Sequence, residues 1–317
     1  MGPSTSLFSR TRPSRSTPKK IRGFLSLPGE VRNQIYAYYF ESQFRCEIAS
    51  KGANFHPPKP KTVKLWAGSY STKSPTLQHT SSTKEDTPLT IRVSRPLGKY
   101  TIVGGVQTNW LASLFAVNLV CKQLHTETLP FLYQKTVFVF DAPKRILSFL
   151  SVVSNSKLAY ISKLQLYYTT YGSPRKAADG VWQSKHRQSW LRACTAASKK
   201  LVSLQSLRIW ICVLDSPLRF NLREAWVLPL LQFRRLTRDT ETLKAVDIDF
   251  RTGLSGFSFT NPSLRYASED LHRLFGQAIR LAILGAKEEV AMKGFNEAWE
   301  GEHEMWQYHL GYGKTGW

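Results

Sequence analysis

The residues that could carry chemistry are few, and their spacing is wrong for it. His125-Thr126-Glu127 has the H-x-E spacing that a zinc deaminase uses for a metal ligand and a proton-carrying glutamate, but no Pro-Cys-x-x-Cys follows to complete the ligand set. His303 and His309, in EHEMWQYH, stand six apart, whereas a zinc-protease helix needs two histidines four apart on one face. Gly104-Gly105 has neither a G-x-G-x-x-G pattern nor a Walker lysine to cradle phosphate, and the chain has no G-x-S-x-G elbow for a nucleophilic serine. Asp247 and Asp249 alternate with Val246, Ile248 and Phe250, which places both acids on one strand face and reads as a solvated surface. The expectation is a protein that is not an enzyme, with no catalytic residue, no metal and no cofactor.

Two stretches point to binding. In FLSLPGEVRNQIYAYYF, residues 24–40, Pro28 suits the first position of a helix and Glu30 places an anion where the helix dipole favours it. Leu27, Val31, Ile35 and Tyr39 then recur every four residues as one apolar stripe, with Arg32, Asn33 and Gln34 on the other side. Such a row either packs on the protein's own core or anchors a helix in a partner's groove. The second stretch, SKHRQSWLRACTAASKK, sets Lys185, Arg187, Arg192, Lys199 and Lys200 beside Trp190, with Trp182 just upstream and FRRLTR (Arg234, Arg235) further on. Cations interleaved with aromatics can neutralise a phosphate backbone and stack on bases. The simpler arrangement turns Trp182, Trp190 and Cys194 inward and leaves the cations in water.

The formal charge of +22 favours polyanionic surroundings without specifying them. Cys46, Cys121, Cys194 and Cys212 lie far apart with no C-x-x-C pair, so they read as free thiols of a reducing compartment, cytoplasmic or nuclear. No apolar run reaches the roughly 18 residues of a membrane span.

The elements that must position these residues follow from periodicity. Residues 1–22, rich in Ser, Pro, Arg and Lys, read as a disordered basic tail, and a first helix is expected over 28–40. Residues 45–100 are rich in Pro, Ser, Thr and Lys and read mostly as a disordered insertion, with short strands open near Thr62–Trp66 and Tyr100–Val103. Leu114, Val117, Cys121, Leu124 and Thr128 give a helical face that Pro130 is expected to end. From Thr136 the texture becomes strand–helix alternation. TVFVFD, ISKLQLYY, LQSLRIWICV and LKAVDIDF are the strands, and the last long helix is expected to be capped by Ser268. Four strands with helical crossovers imply parallel pairing. The cadence of KLAYISKLQLYY and KKLVSLQSLRIWI is loosely that of leucine-rich repeats, but the spacing is too irregular for a regular array. The fold class is therefore α+β or α/β: a helical N-terminal module over 23–135, an irregular, leucine-rich-repeat-like strand–helix layer over 136–294, and a tail over 295–317.

The two apolar blocks carry a resemblance. Leu27–Tyr36 resembles the opening of an F-box, L-P-x-E-hydrophobic-x-x-x-I, and LVCKQLHTETLPFLY is similar to the later F-box segment. Together with the phenylalanine-rich Val137–Phe140, they resemble a group of uncharacterised fungal F-box-like proteins; the likeness covers about 60 residues in two blocks, and the long insertion between the blocks departs from a standard F-box. The resemblance implies a non-catalytic protein-interaction adaptor. The N-terminal helix would hook the small adaptor subunit of a cullin-RING ubiquitin ligase, with Leu25, Leu27, Pro28, Val31 and Ile35 facing it, and the C-terminal domain would present an unknown protein substrate. The alternatives are a basic nucleic-acid-binding protein or an interaction protein without a ligase partner.

Overall fold

The protein is described here by a computed structural model covering residues 23–40, 44–50, 53, 55, 62–64, 89–93, 117, 120–172, 177–215, 218–252 and 261–306. The basic tail, most of the expected insertion and Leu114 lie outside these residues. The chain divides into two units, residues 1–39 and residues 40–317.

The first unit holds a 3-10 turn, Phe24–Ser26, and helix α1, Gly29–Tyr39. Gly23, at φ 150°, opens the turn in backbone space that favours glycine, and the Ser26 hydroxyl donates to its carbonyl at 2.6 Å.

The second unit is a seven-stranded sheet. In chain order the strands are β1 Phe44–Ile48, β2 Thr62–Lys64, β3 Leu89–Val93, β4 Thr136–Phe140, β5 Lys163–Thr169, β6 Ser206–Val213 and β7 Ala245–Thr252. They lie side by side as β2-β3-β1-β4-β5-β6-β7, and every adjacent pair is parallel. The fold is α/β.

Strand alternation decides which face is covered. Phe138 and Phe140 of β4 stand in register with Leu164 and Leu166 of β5, these with Leu207 and Ile209 of β6, and these with Val246 and Ile248 of β7. All of these side chains are buried except Ile248, which is partly so. The helices land on this one apolar face. Tyr133 of α2 (Lys122–Lys135) and Phe149 of α3 (Pro143–Val152) lie 5.6 and 5.3 Å from the Phe138 ring. After the short α4 (Asn155–Leu158), Trp190 of α5 (Ala177–Lys200) meets Tyr168 edge-on at 4.9 Å. Beyond the short α6 (Leu228–Leu231) and α7 (Arg234–Arg238), Phe275 of α8 (Pro262–Ile283) meets Phe250 of β7 at 5.4 Å. From β4 to β7 each strand is the next neighbour of the one before it, so successive crossovers of one hand stack their helices on the same side. The strands begin at residues 136, 163, 206 and 245, an uneven spacing mostly longer than the roughly 20–29 residues of a leucine-rich repeat.

Several details differ from the sequence reading. Phe44–Ile48, Thr62–Lys64 and Leu89–Val93 are sheet strands, so β-structure begins within residues taken as helical module and insertion. The second F-box-like block falls in the sheet body as α2, apart from the unit that holds α1. Pro130 lies inside α2 and does not end it: the carbonyl it leaves unbonded belongs to exposed Thr126, where water can take the place of the missing N–H. The last long helix starts earlier than Ser268. Asn261 is its N-cap, accepting from Ser263 N at 2.9 Å with Pro262 following, and Ser268 is buried mid-helix. Gly285, at φ 98°, separates α8 from α9 (Glu288–Glu300). Phe295 and Trp299 of α9 belong to the core, which carries the body past residue 294.

Phe220, in the β6–β7 connection, ties that end of the core together. Its ring lies 4.8 Å from Phe295, 5.1 Å from Phe275 and 6.1 Å from Trp299. Phe220→Ala should therefore lower the unfolding free energy by about 3–5 kcal/mol, measured by urea titration. A loss near zero would mean that α9 does not pack there.

Candidate functional site

The first candidate surface is the α1 stripe. Arg32 ties the helix to the turn before it: its guanidinium donates to the carbonyls of Leu25, at 3.3 Å, and of Leu27. This fixes the Leu-Pro step against the helix and leaves the stripe facing water. Leu27, Val31, Ile35 and Tyr39 are 36, 39, 40 and 39% exposed, and Tyr38 beside them is 77% exposed. Pro28 is exposed and Leu25 half-buried. The buried residue of α1 is Tyr36 at 1%, with Phe24 against its ring at 5.7 Å. The helix thus buries a tyrosine that sequence reasoning had not singled out and exposes its aliphatic row. Completing the burial of four such half-exposed side chains gains roughly 1 kcal/mol apiece, which alone gives about millimolar affinity. A partner of useful affinity must therefore also cover Tyr38.

The second surface is the sheet face opposite the helices. Across it run Arg45 and Glu47 of β1, Val137 and Val139 of β4, Gln165 and Tyr167 of β5, Arg208 and Trp210 of β6, and Asp247, Asp249 and Arg251 of β7. Glu47, Val139, Gln165 and Tyr167 are buried, and the exposed part is the β6–β7 end. The Arg45 guanidinium meets Glu47 at 2.9 Å and donates to Gln165 Oε1 at 2.6 Å, while Gln165 Nε2 donates to the Tyr167 hydroxyl at 3.0 Å. Phe55, Tyr167 and Trp210 form a row of rings spaced 4.3 and 5.6 Å apart, with Arg251 over Trp210 at 6.0 Å. Asp247 and Asp249 are ion-paired to Arg208 at 2.7 Å and to Arg251 at 3.0 Å, both pairs being well exposed. They form a solvated charge ladder. The period-2 pattern Gln165-x-Tyr167, Arg208-x-Trp210 and Asp249-x-Arg251 carried this face in the sequence, but only the register joins it into one row.

The basic residues of α5 divide. Arg187 faces Asp215 at 3.7 Å, and Lys200 donates to the Leu150 carbonyl at 2.7 Å. Lys185, Arg192 and Lys199 are exposed. Trp190 and Cys194 are buried as expected, but Trp182 is 56% exposed, because eight residues leave it about 80° around the helix from Trp190.

Asp270, Glu302 and His303 bring three potential ligand atoms within 4.8 Å of one another. Asp270 already accepts from Arg273 and, at 3.1 Å, from His303 Nε2. Burial works to raise the Asp270 carboxyl, but these hydrogen bonds outweigh it and hold the group below the usual range. A guanidinium at the carboxylate repels a cation, so the cluster acts as a clasp between α8 and the turn after α9. Cys46 and Cys194 are pushed up by burial, Cys46 to about 12, which makes their thiolates inaccessible at neutral pH. Among the described residues no helix is long and apolar enough to cross a membrane.

These features define an α/β layer protein that displays side chains on the outer surfaces of its helices and at the β6–β7 end of its other sheet face, preceded by a helix with an exposed apolar stripe. Residues 20–229 match the family described as a domain of unknown function, DUF7730, and the chain belongs to that family. The match takes in α1, β1–β6 and α2–α5, about two thirds of the chain. No curated protein and no solved structure matches the chain.

His272 of α8 makes the body sensitive to acid. It is 4% exposed, with Nε2 3.1 Å from the Thr252 hydroxyl, Nδ1 on the Ser268 carbonyl and its ring stacked on Phe250 at 5.3 Å. Burial lowers its pKa, outweighing the raising effects of Ser268 and Glu269. The folded protein keeps it neutral, while the unfolded chain takes a proton near pH 6.5. Its contribution is therefore complete above about pH 6.5 and is lost as pH falls below that, at up to about 1.4 kcal/mol per unit, levelling off below the folded pKa. Urea titrations from pH 7.5 to 5 should show this fall, and His272→Gln should flatten it; an unchanged slope would place the linkage elsewhere.

Proposed function

We propose that the chain is a non-catalytic protein-interaction adaptor of the F-box-like kind. In this reading α1 docks on the small adaptor subunit of a cullin-RING ubiquitin ligase, and the α/β body presents a protein substrate. The observation that carries it is the exposure of Leu27, Val31 and Ile35 on a helix that buries Tyr36 instead. A stripe used for the protein's own packing would be covered. Aliphatic anchors at four-residue intervals are what helix-in-groove recognition uses, and Arg32 holds the Leu-Pro step in one conformation before binding, which lowers the ordering cost. Leu27-Pro28 and Ile35 stand at the positions that the F-box resemblance assigns to the adaptor-facing side.

Capture of the purified adaptor subunit by the full-length chain tests this. The wild type should retain it, and Leu27→Asp with Ile35→Asp should cut retention at least a hundred-fold while circular dichroism and the melting temperature stay within error. Equal retention by the double variant, or none by the wild type, would reject the proposal.

A further inference from the structure

The outward face of α5 is a further exposed surface with a pronounced chemical character. Lys185, Arg192 and Lys199 are seven residues apart, so they fall about 10.5 Å from one another along the axis. The line drifts by only about 20° per step. All three are exposed, and none makes an ion pair among the described residues. Asp179 is the only acid in the 24-residue helix, and it lies half-buried near the start, on another side. At one end of the line the exposed Trp182 holds the Lys185 ammonium 4.5 Å from its ring centroid. Since Arg187 and Lys200 are engaged elsewhere, their cations are not available to this line.

We propose that this face binds single-stranded nucleic acid, the three cations each meeting a backbone phosphate along the strand, without matching every phosphate, and Trp182 stacking on a base. A run of one sign across about 21 Å attracts any polyanion. Two features select among polyanions. An acidic polypeptide offers nothing that an exposed indole beside a cation recognises preferentially, whereas every base has a face to stack. An anionic membrane would need the apolar side of the helix, and that side, with Trp190, Cys194 and Ala197, is sealed in the core. The inference is independent of the adaptor reading, because it uses no residue of α1.

The test is anisotropy of a fluorescein-labelled 20-nucleotide single-stranded RNA titrated with the full-length chain across a salt series. Reversing Lys185, Arg192 and Lys199 to Glu should weaken binding at least ten-fold and lower the slope of log K against log salt by about 2, at about 0.7 per phosphate. Trp182→Ala should weaken binding roughly ten-fold with the slope unchanged. Three observations would each overturn the assignment. One is an equal loss on reversing the exposed Arg238, Arg280 and Lys287, which would mean diffuse attraction. Another is equal affinity for poly-glutamate of matched charge, which would mean an acidic polypeptide. The third is no binding at physiological salt. Leu27→Asp with Ile35→Asp should leave RNA binding unchanged, so failure of one proposal does not carry the other.

Discussion

Everything in the body depends on burial of one apolar face of a parallel sheet. From β4 to β7 each strand turns most of its apolar side chains to the same side, and the register aligns them into continuous rows such as Phe140, Leu166, Ile209 and Ile248. Burying such a row at about 25 cal/mol per Å² is the main favourable term available to the fold. The helices supply the cover, because crossovers of one hand between successive neighbours return to the same face. The consequence is functional as well as structural. Among the described residues, the β6–β7 end of the other sheet face and the outer surfaces of the helices are left to carry exposed polar and aromatic side chains, while Glu47, Val139, Gln165 and Tyr167 of that face are buried.

The same logic separates structural from displayed residues. Tryptophans show it best: Trp190 and Trp226 are buried in the core, Trp210 lies on the open sheet face in a row of rings, and Trp182 stands in water with a lysine over it. Residue type does not distinguish these roles, whereas the angle around the helix or the parity along the strand does. In α1, likewise, Tyr36 turns inward while the aliphatic row at every fourth position turns out. An apolar stripe is normally the side that folding consumes. Here it remains at the surface, which is why it carries the proposal of a docking helix.

The α/β class, the four strands after Thr136 and the helices between them were legible in the sequence, because alternation and 3.6-residue periodicity are local signals. The strands β1 and β3 were not, and β2 showed only as an open short strand near Thr62–Trp66. Their partners lie far along the chain, and Phe44–Ile48 is too short to show a period of its own. Pro130 misled because its cost falls on an exposed carbonyl. Ser268 misled because a serine three residues before an apolar run resembles a cap, although here its carbonyl serves His272. The α1 stripe was visible as a pattern, yet only the fold could show whether it faced the core or the solvent. The bonds of Arg45 to Gln165 and Tyr167 join residues 120 or more positions apart, which no local pattern signals.

Covalent footprinting of the intact chain tests the account at its centre, since it reads solvent contact side chain by side chain. Carbene labelling resolved by mass spectrometry should modify Leu27, Val31 and Ile35 at about half the rate of Tyr38, in line with exposures of 36–40% against 77%, with Tyr36 protected. Protection of the aliphatic row to the level of Tyr36 would mean that folding consumes it, contradicting the account.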